Sequence, residues 1–371
     1  MHKEKNRRLM DNRVYRKIVI AIDSLKGCLS SVEANMAAAE GVRSVCPGAE
    51  VVQVPVSDGG EGFLEAYRAA IGGETVEVVV RDPLMRPVTA AYLLQGSTAV
   101  IETARASGLT LVADGERNPL VATSYGTGQL VADAVGRGAR HLIVGLGGSA
   151  TSDAGMGMLR ALKDAFAPDG IWDDIRELRS VSVTIASDVR NPLCGDDGAA
   201  CVFAPQKGAT PEMVVRLDER ARRFADISAR HFGFDRSAMA GAGAAGGLGY
   251  AFLQYLDATC MSGIQLLLDT VRFSALAEGA DLIITGEGSA DRQTLMGKLP
   301  MGILEHSRGI PVALIAGRIS DRDALLRAGF ARAECINPPG IALAEAMRPE
   351  VAQRNIRQTV AGLIRTHDAI R

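Results

Sequence analysis

The sequence predicts an α/β protein, and three observations carry that reading. Short, continuous apolar runs recur along the chain, which suits strands buried on both faces of a parallel sheet. Segments with helix-capping signals follow several of them, and strand alternating with helix means α/β architecture. Of the 371 residues, 47% are apolar and 41 are glycine, so there is chain enough for substantial cores and for many tight turns. The length suits about two domains.

The elements follow in order. KIVIAI (17–22) ends at Asp23-Ser24, with Lys26 and Gly27 just after. Ser30-Ser31-Val32-Glu33 reads as a capping box; Val32, Met36, Ala39 and Val42 then fall on one helical face, and Cys46-Pro47-Gly48 ends the helix. VVQVPV (51–56) ends at Ser57-Asp58-Gly59-Gly60-Glu61-Gly62. Residues 81–94 look like a strand pair, AVI (99–101) ends at Glu102, and 112–120 look like an exposed loop. Thr123-Ser124 is the expected cap of a helix carrying Leu130, Val131, Ala134 and Val135 and ending near Gly136-Arg137-Gly138. HLIVGL (141–146) runs into Gly147-Gly148-Ser149-Ala150-Thr151-Ser152-Asp153, and VTIAS (183–187) ends at Asp188. Lys207 either meets a phosphate or sits on a solvated turn, and AGAGAAGGLG (240–249) serves either close helix packing or a phosphate contact. The run 282–284 stops at Thr285-Gly286-Glu287-Gly288. A first domain interrupted by a second is compatible with this order.

The strand ends carry the chemistry, because ligands of open α/β sheets collect at the carboxyl ends of their strands. In any one loop an Asp or Ser caps the next helix and a Gly turns the chain. Six such loops, four with an acid close to Gly or Ser, point instead to a shared site. Residues 281–298, DLIITGEGSADRQTLMGK, say most. Gly286, Gly288 and Gly297 let backbone N–H groups approach an anion without interference from a Cβ. Glu287 and Asp291 can hold a divalent cation, and Lys298 supplies positive charge. That combination suits phosphoryl transfer, whose catalysis is mostly positioning and charge neutralisation. The P-loop spacing G-x-x-x-x-G-K-[ST] occurs nowhere in the chain.

Other classes are excluded or disfavoured. A net charge of −2 and 4% aromatics give no case for nucleic acid. No apolar stretch approaches the ~20 residues of a membrane span. The six cysteines are scattered with no C-x-x-C pair, which reads as mostly buried thiols in a reducing, cytoplasmic compartment. The five histidines show no metal-ligand spacing. The basic, polar residues 1–16 read as a disordered extension without a secretory signal.

Nine motifs, in order, resemble those of bacterial-type glycerate kinases of the class forming 2-phosphoglycerate: AIDSLKGCLS (21–30), PVSDGGEGF (55–63), ASGL (106–109), TSYGTGQL (123–130), GLGGSATSDAGMGM (145–158), SDVRNPLCG (187–195), FAPQKGA (203–209), GAGAAGGLG (241–249) and TGEGSADRQTLMGK (285–298). The chain departs from the family pattern at Ile22, Leu25 and Cys28 (usually Pro, Phe and Ser), at Ser152 (usually Asn) and at Ala154 (usually Gly), the last two bearing on substrate positioning. The resemblance implies a flavodoxin-like α/β domain (17–70 and 279–371) with a second α/β domain (71–278) inserted, and a site in the cleft between them. It implies transfer of the ATP γ-phosphoryl group to D-glycerate with Mg²⁺.

Within that frame Asp188 is the expected base and Lys26 and Lys298 the phosphate ligands. Asp23, Ser24, Ser149, Asp153, Arg190 and Asn191 are the substrate-binding candidates. Gly286, Gly288, Gln293 and Lys298 are assigned to the nucleotide. Asp58, Glu61, Glu287 and Asp291 form the pool of magnesium ligands, of which one or two normally suffice. Three alternatives stay open: a kinase for another small hydroxy acid, phosphorylation of the 3-hydroxyl, or a non-catalytic ligand-binding regulator on the same scaffold. No nucleic-acid or membrane partner is expected, and assembly into a homo-oligomer is left open.

Overall fold

The computed structural model describes residues 15–57, 59–60, 62–292 and 294–366; of the expected extension over 1–16, all but Tyr15 and Arg16 lies outside them. The chain divides into two compact units, Met1–Ser57 with Leu268–Arg371, and Asp58–Leu267. In chain order the first unit begins with β1 (Lys17–Ile22) and β2 (Glu50–Gln53). The second holds β3 (Glu74–Arg81), β4 (Pro87–Gln95), β5 (Thr98–Glu102), β6 (His141–Gly145), β7 (Ser182–Ala186) and β8 (Thr259–Met261). The first unit resumes with β9 (Leu282–Ala290), β10 (Val312–Ile319) and β11 (Arg332–Cys335).

The first unit's sheet has the order β11-β10-β9-β1-β2, and all its pairings are parallel. Numbered within the unit, that is the doubly wound order 2-1-3-4-5 of flavodoxin-like folds, whose switch point lies between β1 and β9. Ile18, Ile20, Ile22, Leu282 and Ile284 are buried in one core with residues of the helices Ser31–Val45 and Pro349–Arg365. Burial of both faces is why these strands read as unbroken apolar runs.

Two expectations need correction here. β9 does not stop at Ile284: β10 stays paired beside it to Ala290↔Ile319, so Glu287 sits within a strand. The capping box forms as expected, with Glu33 N–H donating to Ser30 Oγ (3.2 Å) and Ser30 N–H to Glu33 Oε2 (2.8 Å). Of the expected face Ala39 and Val42 are buried, together with Ala34, Asn35, Ala37, Ala38 and Gly41, while Val32 and Met36 are exposed. The helix Pro349–Arg365 packs so closely that a Cβ on Gly41 would lie 2.6 Å from Arg357 O, so small residues must face it. Buried Asn35 accepts from Ile22 N–H (2.9 Å) and donates to Val54 O (3.1 Å), tying the end of β1 to the chain leaving β2.

The second unit's sheet runs β3-β4-β5-β6-β7-β8, antiparallel through β5 and parallel from β5 to β8. The expected strand pair is real but begins at Glu74, and residues 82–86 form its turn, where Asp82 Oδ1 accepts from Leu84 and Arg86 N–H (both 2.8 Å). The helix Phe63–Ile71 packs on β4 and β5 with Phe63 and Tyr67 fully buried. It therefore belongs to this unit, and the boundaries fall at 57/58 and 267/268 instead of 70/71 and 278/279. The helix Tyr125–Gly136 buries Leu130, Val131, Ala134 and Val135 as expected. Of the cysteines, expected mostly buried, five are half-buried and Cys335 is exposed; none is bridged. Among the described residues no helix is long and apolar enough to cross a membrane.

Candidate active site

The expected residues fall into two groups, one on each unit. In the first unit, Ile22 pairs with Gly286 at the switch point, and Asp23 N–H donates to Gly286 O (2.9 Å). Asp23 and Ser24 are buried there, with Ser24 N–H donating to Asp23 Oδ1 (2.7 Å) and the Ser24 hydroxyl without a hydrogen-bond partner among the described residues. The following turn, closed by reciprocal Leu25–Leu29 bonds, leaves Lys26 exposed. Across the switch point, Glu287 is buried and its Oε1 accepts from Thr294 Oγ1 (2.6 Å). Thr294 Oγ1 accepts in turn from Asp291 N–H (3.0 Å). Thr294 thus fixes the two acids relative to one another.

Lys298 stands at the N-terminus of the helix Leu299–His306, with Nζ 3.8 Å from Glu287 Oε2 and its side chain 42% exposed. Gly297, at φ +97°, makes the turn into that helix. Gly286 has a packing reason to be glycine, since a Cβ would lie 2.4 Å from Ile315 O; Gly288 is exposed and open. Gln293, Asp58 and Glu61 lie outside the described residues. Among those described, no group of three or more His, Cys, Asp or Glu could hold a metal. Glu287 and Asp291 still suit Mg²⁺ as hard oxygen donors, because that ion takes one or two carboxylates and leaves its other positions to water and phosphate.

In the second unit, Asp188 is exposed two residues beyond β7, on a backbone held by Ser187 N–H donating to Met261 O (2.9 Å). Arg190 is exposed on the same loop. Asn191 does more to hold that loop than to reach outward: its Nδ2 donates to Asp197 O (2.8 Å) and its carbonyl accepts from Gly243 N–H (2.9 Å). The glycine-rich stretch 240–249 proves to be packing, since a Cβ on Gly246 would lie 1.9 Å from Thr151 O.

Asp153, expected to bind substrate, has its carboxylate occupied by the protein. Oδ2 accepts from Ser124 N–H and Oγ–H (both 2.9 Å), Gly157 N–H (3.0 Å) and Thr123 Oγ–H (3.4 Å), and Oδ1 from Gly155 N–H (3.1 Å). The Ser124 hydroxyl also accepts from Met158 N–H (3.0 Å), so it joins two helices and does not cap its own. Asp153 is therefore a structural hub between the starts of the helices Tyr125–Gly136 and Met156–Phe166.

Lys207 and Thr294 were not among the assigned site residues, and Lys207 is not on a solvated turn. It is buried (3% exposed), donating to Thr151 O (2.7 Å) and Ser149 Oγ (3.0 Å). Burial pushes its ammonium down to about 8, with nearby Asp153 opposing the shift. Nothing in its neighbourhood of sequence signals burial; the spacing Asp291-x-x-Thr294, in contrast, is a recognisable local side-chain turn. The sign of the Lys207 effect is fixed. Its folded pKa lies below the ~10.4 of an unfolded lysine. Burial therefore costs most below pH 8, and the cost is relieved as pH rises toward 10.4. Denaturant titration should show wild type gaining up to about 3 kcal/mol over Lys207→Met between neutral pH and the lysine's unfolded pKa. A flat difference would refute a buried charge.

Comparisons with known proteins bear on the family and the fold. A profile of the Glycerate kinase family matches residues 18–169 and 173–368. A glycerate kinase of Bacillus subtilis (strain 168) is 41% identical, covering 94% of this chain and 97% of its own. A glycerate 2-kinase of Escherichia coli (strain K12) is 40% identical, covering 82% and 86% respectively. A crystal structure described as a glycerate kinase 2 from Salmonella typhimurium LT2 superposes with a TM-score of 0.82 at 38% identity, over 96% of this chain and 99% of that one.

Proposed function

The chain belongs to the glycerate kinase family, and from that premise we propose that it phosphorylates D-glycerate with ATP and Mg²⁺ to give 2-phosphoglycerate. It is a kinase, so the question for its residues is how they divide the work. The observation that carries the reading is the switch point, where Asp23, Ser24 and Glu287 gather at the carboxyl ends of β1 and β9.

Lys26 and Lys298 neutralise phosphate charge, the latter beside a helix N-terminus that also favours anions. Glu287 and Asp291 hold the magnesium ion, which offsets charge on the nucleotide phosphates. Asp188 accepts the proton as the substrate hydroxyl oxygen bonds to the γ-phosphorus and the bond from phosphorus to ADP breaks. Arg190 offers a cationic partner to the substrate carboxylate.

The test is an ADP-release assay with D-glycerate, the product being identified by phosphorus NMR. Turnover that needs Mg²⁺ or Mn²⁺ and gives 2-phosphoglycerate is expected. Undiminished turnover in excess chelator would remove the metal from the scheme, and 3-phosphoglycerate as product would move the reaction to the other hydroxyl. Turnover with a different hydroxy acid but not with D-glycerate would reassign the substrate.

A further inference from the structure

Two buried or half-buried cations grip one loop of the second unit from behind. Lys207 Nζ donates to Thr151 O (2.7 Å), and Arg220 Nη2 donates to the next carbonyl, Ser152 O (3.0 Å). In a planar trans peptide the carbonyl and the following N–H point in opposite directions. Holding Thr151 O toward Lys207 therefore turns the Ser152 N–H away from that lysine. Holding Ser152 O toward Arg220 does the same for the Asp153 N–H. Among the described residues neither amide has a hydrogen-bond acceptor.

The side chains of the same residues complete the pattern. Thr151 and Ser152 are buried (0% and 6% exposed), and neither hydroxyl has a hydrogen-bond partner among the described residues. Buried donors left without acceptors are costly, so native proteins rarely keep several side by side without a use for them. Ser149 Oγ accepts from Lys207, which leaves its own proton to be donated elsewhere. The Asp153 carboxylate, in contrast, is taken by five donors and cannot repel an incoming anion strongly.

We infer that Lys207 and Arg220 are positioning residues that shape Thr151–Asp153 into a cradle for the carboxylate of the hydroxy-acid substrate. The amides of Ser152 and Asp153 and the hydroxyls of Thr151 and Ser152 are its donors. The nucleotide candidates Gly288, Lys298, Glu287 and Asp291 all belong to the other unit, which leaves the carboxylate as the anion for this loop. The cradle makes Asp153 a substrate ligand through its backbone, not its side chain. It also places Ser152, where the family usually has Asn, among the carboxylate donors. The inference rests on the glycerate kinase reading above, and the experiments separate the two.

In full-length protein with ¹⁵N-labelled amides, D-glycerate should move the Ser152 and Asp153 amide protons downfield. Glycerol, which lacks the carboxylate, and a non-hydrolysable ATP analogue should not. In steady-state assays Lys207→Met should raise KM for D-glycerate roughly 10- to 100-fold, the scale of losing charge-assisted hydrogen bonds, with KM for ATP within about twofold. Lys207→Arg should recover part of that loss. Amides that respond to the nucleotide analogue but not to D-glycerate would overturn the assignment. So would a Lys207→Met enzyme that loses kcat alone. Wild-type protein without any turnover of D-glycerate would sink the proposed reaction instead. Normal turnover with unmoved amides would sink only the cradle.

Discussion

Replacing Asp153 by alanine is expected to destabilise the second unit by about 3–5 kcal/mol, the scale for removing one partner of a buried, charged hydrogen-bond network. Its carboxylate accepts five hydrogen bonds, among them the N–H groups of Ser124 and Gly157 near the starts of two helices. Alanine leaves those donors without acceptors, and it frees the Ser124 hydroxyl that also holds Met158 N–H. Asparagine keeps one acceptor oxygen and should lose less. Urea unfolding of the two variants measures this directly. A loss below about 1 kcal/mol for Asp153→Ala would show that the hub carries little and would return the residue to the list of substrate ligands through its side chain.

The largest effect on chemistry is expected from Asp188→Asn: kcat should fall by ~10²-fold or more, the usual scale for a positioned acid–base group. Asp188 is exposed two residues beyond the end of β7. Folding and nucleotide binding should survive, since asparagine is nearly isosteric and the nucleotide candidates lie on the other unit. Steady-state kinetics with both substrates varied decides the role. A rise in KM for D-glycerate at unchanged kcat would make Asp188 a binding residue, because an interaction lost equally from ground and transition state leaves kcat alone.

Much of this was legible without coordinates. The strands at 17–22, 99–101, 141–146 and 183–187 announced themselves because burial on both faces demands unbroken apolar runs, and the structure places β1, β5, β6 and β7 there. The capping box at Ser30 and Glu33 was legible because its two bonds span only three residues. Where the partner is remote, local pattern failed. Val32 and Met36 were misplaced on the buried face, unlike Ala39 and Val42, because the packing partner, around Arg357, lies more than three hundred residues away in the chain. β9 outran its apolar segment because β10 continued to pair with polar residues.

The site divides along the same line. Composition and spacing determined which loops carry acids, glycines and lysines, because chemically useful side chains at strand ends are a property of local sequence. The fold decided which of those side chains face outward. Asp153 turns inward to donors 29 residues back at Ser124, and Lys207 crosses to Ser149 and Thr151 some 58 and 56 residues earlier. A carboxylate or an ammonium goes wherever its charge is best compensated. The compensating groups come together through long-range packing, which no window of sequence contains.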